Sequence, residues 1–137
     1  MNPLWRSMYG PGLFHEAERA RLSTEGDALV AEGLDGSLRV HVRRAPGVRH
    51  RVTLQGATGA VAVTSRRLVI FVNGSTRIDV THRDPVRRRI DVRLAGADRV
   101  EFSCALDVLR PGSEGTVRLR LRTTHAPELV RRLNGSG

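Results

Sequence analysis

The chain has 137 residues, 39% of them apolar, enough for one domain with its own core. All 23 of its Lys-plus-Arg residues are arginine; 14 acids leave a formal charge of +9, and a single cysteine excludes an internal disulfide framework. No apolar run approaches the roughly 18 residues of a membrane-spanning helix, and the composition excludes collagen, coiled coil and full disorder.

The lack of lysine, beside 16 valines and 3 isoleucines, is the pattern of a GC-rich genome. The excess of positive charge is a separate matter. It attracts nucleic acid or anionic lipid at low salt.

Residues 1–13 are rich in Pro and Gly and carry Trp5 and Tyr9. They read as an irregular arm, either packed on the body or serving as an aromatic hook for a partner or a membrane interface. The segment lacks a basic stretch followed by an apolar one, so it is not expected to be a secretory signal. A cytoplasmic location, peripheral to the membrane if lipid is the ligand, is the expectation. Residues 14–137 read as one domain. Phe14–Leu22 predicts a short helix, with acids ahead of arginines and Gly26 ending it.

From Ala28 the period changes to two. Leu38, Val40 and Val42 alternate with Arg39, His41 and Arg43. Val48, Val52 and Leu54 share a face with His50, opposite Arg49, Arg51 and Thr53. Val61 and Val63 follow Gly59. Leu68–Val72 is apolar on both faces and predicts the most buried strand. Ile78 and Val80, then Ile90, Val92 and Leu94, then Val100, Phe102, Cys104 and Leu106, and last Val117, Leu119 and Leu121 complete the series. Ala45-Pro46-Gly47, Asn73-Gly74, Asp84-Pro85, Ala95-Gly96 and Arg110-Pro111-Gly112 supply the turns. Residues 126–133 predict a closing helix. Pro127 sits in its first turn, Glu128 near its start, Arg131 and Arg132 near its end, and Asn134-Gly135 beyond.

The predicted class is all-β with a C-terminal helix. That layout, with Ala60-Val61-Ala62-Val63-Thr64-Ser65-Arg66-Arg67-Leu68-Val69-Ile70-Phe71, resembles the signature hairpin of bacterial pleckstrin-homology-like (PH-like) and GRAM-like domains. Ile78-Asp79-Val80 is similar to their next strand. The resemblance implies a bent barrel of about seven antiparallel strands, capped by one helix and used for binding. Residues 28–56 depart from the short bacterial domains in carrying a long basic hairpin.

Within that hairpin, Arg43, Arg44, Arg49 and Arg51 resemble the basic pattern of lipid-binding PH domains. Arg49 and Arg51 share a strand face and Arg43 is expected across from them, where guanidinium groups could fork phosphate oxygens. The competing reading is a solvated strand face. Arg87, Arg88 and Arg89 form a second candidate anion site, or a solvated entry to a strand with Arg89 paired to Asp91 or a cross-strand acid. Arg118, Arg120 and Arg122 share one face, with Glu101 or Asp107 expected opposite.

Chemistry for an enzyme is thin. His15, His41, His50, His82 and His125 show no metal-ligand spacing. Cys104 falls on an inward face, and His82-Arg83-Asp84 is a loop cluster. No phosphate-cradling Gly-rich loop is present. The expectation is a non-enzymatic binding or scaffold module without cofactor. Its partner is a protein or an anionic surface such as phospholipid headgroups. The alternatives are a nucleic-acid binder acting through phosphate contacts, or a self-assembling protein, with a homodimer through a strand edge as one form.

Overall fold

A computed structural model describes residues 10–47 and 50–135. Seven strands form one antiparallel sheet: β1 (Leu29–Arg44), β2 (Arg51–Val63), β3 (Arg67–Val72), β4 (Ser75–Thr81), β5 (Asp91–Leu94), β6 (Arg99–Ala105) and β7 (Glu114–Arg122). Helix α1 (Glu16–Thr24) precedes them and α2 (Ala126–Gly135) follows. The spatial order is β4-β3-β2-β1-β7-β6-β5, so β1 is the central strand and β4 and β5 are the edges. The sheet curls into a half-barrel. The two apolar runs expected on either side of Gln55 are halves of one strand, β2.

Curling requires a long strand that bends. β1 carries a register shift between Ala31 and Leu34, with Gly33 at φ +68° in the gap. The Gly33 N–H donates to the Gly12 carbonyl at 3.0 Å. Further along, a Cβ at Gly36 would overlap the carbonyl oxygen of Arg120, so only glycine lets β7 lie this close. Asn73 (φ +48°) and Gly74 (φ +87°) turn β3 into β4, as two-residue hairpins require.

The inner face of the sheet holds the main core. Val61, Leu68, Ile70, Val100 and Leu121 are at most 1% exposed there. Ala126, Leu129 and Leu133 of α2 join that core. Thr123 starts α2, its Oγ1 accepting from the His125 N–H at 3.0 Å. The C-terminal end is tied down by Arg87, whose Nη2 donates to the Leu133 carbonyl at 2.8 Å, and by Asn134, whose Nδ2 donates to Val92 at 2.7 Å.

β3 is buried on both faces because α1 covers the outer one. Phe14 and Leu22 pack there on Ala60, Ala62, Val69 and Phe71. An ion cluster locks the same contact. Arg67 leaves the inner face yet stays 7% exposed beneath α1. Its Nε donates to both Glu25 oxygens at 3.0 and 2.9 Å, and its Nη1 reaches Glu18 and Asp79, each at 2.9 Å. The Glu25 carboxyl is held below its ordinary range, first by the Arg67 hydrogen bond and also by the Thr64 hydroxyl.

Candidate binding cleft

The half-barrel has two different ends. At the Leu29/Val63 end of the β1–β2 hairpin, α2 closes it: Arg132 Nη1 donates to the Asp27 carbonyl at 2.6 Å. At the Val42/Arg51 end it opens into a cleft of about 440 Å³. One wall is apolar, with Leu38 and Val40 of β1, Phe102 of β6 and Leu119 of β7. The adjoining polar wall carries Arg51, Thr53 and Gln55 from β2 and Thr76 and Arg77 from β4, with apolar Ile70, Val72 and Ile78 among them. Arg110, in the turn before β7, completes the rim.

The phase of β2 produces that polar wall. Register pairs Arg51 with Val42, Thr53 with Val40 and Gln55 with Leu38, and directly paired residues share a face. Val61 and Val63 of the same strand belong to the inner core, which fixes the odd-numbered positions inward. Val52 and Leu54 therefore stand on the outer face, 47% and 72% exposed.

Arg51, Arg77 and Arg110 are exposed at the mouth, and none has a side-chain hydrogen bond or ion pair with another described residue. Among the described residues, no acid lines the cleft. Three unpaired guanidinium groups around an acid-free opening create a positive potential that attracts an anion. Each group presents a fork of donors to carboxylate or phosphate oxygens.

The expected residues are distributed differently. Arg51 lines the cleft, but Val42, not Arg43, lies across from it. Arg43 falls at a register shift between Val42 and Arg44, and Arg44 pairs with Glu114. Both arginines are exposed beside the mouth. Arg49, Trp5 and Tyr9 lie outside the described residues.

The side chains of the triple arginine are divided among different partners. The run lies in the 3-10 turn Pro85–Arg89, where Asp84 Oδ1 accepts from the Val86 N–H at 2.8 Å. Arg87 is spent on the Ile90 and Leu133 carbonyls, and Arg89 pairs with Asp107, leaving Arg88 exposed. Asp107 thus faces Arg89 and not the arginines of β7.

On the convex face, Glu101 is 2% exposed and accepts from Arg93 and from Arg120, the latter at 2.8 Å. Arg118 comes within 3.8 Å of it. The Arg93 hydrogen bond, followed by that of Arg120, holds the Glu101 carboxyl below its ordinary range.

Cys104 lines the cleft half-buried, and burial pushes its thiol pKa up, away from the thiolate a nucleophile needs. His82 Nε2 lies 2.8 Å from the Thr64 carbonyl, which ties the end of β4 to the β2–β3 turn. No group of three or more His, Cys, Asp or Glu that could hold a metal occurs among the described residues. No helix among them is long and apolar enough to cross a membrane.

Comparison with family models, with curated proteins and with solved structures finds no match to this chain.

Proposed function

We propose that the protein is a non-enzymatic binding module of PH-like type that docks on anionic phospholipid headgroups through the mouth of its cleft. The observation that carries this is the trio Arg51, Arg77 and Arg110, unpaired around an opening without an acid. Val52 and Leu54, exposed near the same end of β2 but on its outer face, add apolar side chains that suit a bilayer interface. The strand order and the closing helix support the PH-like part of the reading.

A nucleic-acid reader of the stacking kind would need aromatic platforms on its surface. Among the described residues, the sheet phenylalanines Phe71 and Phe102 are instead 4% and 3% exposed.

The test is sedimentation with vesicles of graded anionic content at about physiological salt, beside competition by oligonucleotides. Bound protein should rise with anionic lipid, and R51E/R77E should lose that binding while melting as the parent does. Undiminished binding by the double variant, or full displacement by any oligonucleotide, would refute the reading.

A further inference from the structure

The cleft holds more than cations. Its volume of about 440 Å³ falls in the range of about 300–1,000 Å³ found for small-molecule sites. Behind the rim the apolar wall is incompletely covered: Leu38, Val40 and Leu109 are only partly buried, although they lie inside the curl of the sheet. Apolar surface left in water there favours an apolar occupant. Charge at the rim and hydrocarbon behind it define an amphiphile with its head outward.

We propose that the cleft takes the alkyl chain of a single-chain amphiphilic anion, a fatty carboxylate or alkyl phosphate, with its head on Arg51, Arg77 and Arg110. This rests on the reading of those arginines as the anion site and adds the ligand's other half. A cleft of about 440 Å³, in the lower part of the small-molecule range, suits one chain better than two. Thr53 and Gln55 line the cleft on the strand that carries Arg51 and offer hydrogen bonds to the head.

The experiment uses the full chain with acetate, hexanoate and decanoate, each below its micelle concentration, followed by calorimetry. Anionic vesicles form a parallel arm. Affinity should rise about fourfold per methylene, the full value for a buried CH₂. Decanoate should also slow alkylation of Cys104, the only cysteine and a cleft residue. Val40→Trp should remove decanoate binding. The Cys104 readout needs no variant and stands if that substitution fails to fold.

Equal affinity for acetate and decanoate with vesicle binding intact would overturn the chain-binding inference alone. Binding of neither decanoate nor vesicles would overturn it together with the anion-site reading. Decanoate binding that leaves Cys104 unprotected, or that survives R51E/R77E, would place the amphiphile elsewhere and overturn the inference. Decanoate binding with Cys104 protection but without vesicle binding would support the cleft site and replace docking on a bilayer with capture of a free amphiphile.

Discussion

Arg67→Met should be among the most damaging single substitutions outside the apolar core. The Arg67 side chain is 8% exposed and its chief partner Glu25 is 11% exposed, so both charges are out of water. Glu25 accepts from Nε and, at 2.7 Å, from Nη2. Without Arg67 it retains only the Thr64 hydroxyl at 3.0 Å. Asp79 is 45% exposed and loses little, because water screens it. Removing one partner of a buried pair costs about 3–5 kcal/mol. The exposed share of the cluster favours the lower part of that range, roughly 3–4 kcal/mol. With an unfolding entropy of about 2.1 cal/mol/K per residue, that corresponds to a Tm lower by roughly 10–14 °C. Urea and thermal melts followed by circular dichroism measure it. Arg67→Met combined with Glu25→Leu should recover most of the loss, since the orphaned carboxylate is gone. A loss under about 1 kcal/mol, or a double variant no better than Arg67→Met alone, would refute the reasoning.

Three further outcomes are expected. The Glu25 and Glu101 carboxyls are both held low in the folded state, so their stabilisation is complete above the ordinary glutamate value of about 4.3 and is lost as pH falls below it; urea midpoints should drop on acidification from pH 5, and drop less in the Arg67→Met/Glu25→Leu variant. Leu129→Ala empties a site that is 0% exposed between α2 and the sheet and should cost about 2–5 kcal/mol by urea melt. Leu54→Ser, at a residue 72% exposed, should change stability by no more than about 0.5 kcal/mol; a core-sized loss would show that β2 has the opposite phase.

The strands and turns were legible because alternation and turn residues are local signals. Leu68–Val72 read as buried on both faces, and it is, with the main core on one side and Phe14 and Leu22 on the other. Phase was harder to read. Alternation around Val52 and Leu54 gives a period but no inside or outside, and Gln55-Gly56 offers no apolar marker to carry the phase from Val61 back to Arg51.

The burial of Arg67 needed α1, β3 and β4 to bring Glu18, Glu25 and Asp79 to one point. No spacing in the chain announces that. The cleft arginines come from β2, β4 and a turn in the same way. Arg87–Arg89, by contrast, looked like a site because they are adjacent, yet two of the three are occupied by carbonyls and by Asp107.

The central position of β1 also shapes how the chain reaches this structure. β1 pairs with its neighbour β2 on one edge and with β7, from the far end of the sequence, on the other. Half of its hydrogen-bonding capacity must wait until β7 arrives. Such distant pairing costs loop-closure entropy before any contact offsets it, which predicts folding in milliseconds to seconds. During synthesis the β1–β2–β3–β4 meander can form first, with the outer edge of β1 bare. That edge includes Arg39 and His41, charged and polar side chains of the kind that discourage pairing with a wrong chain. The same residues that face solvent beside β7 in the finished sheet would guard β1 while it is still an edge.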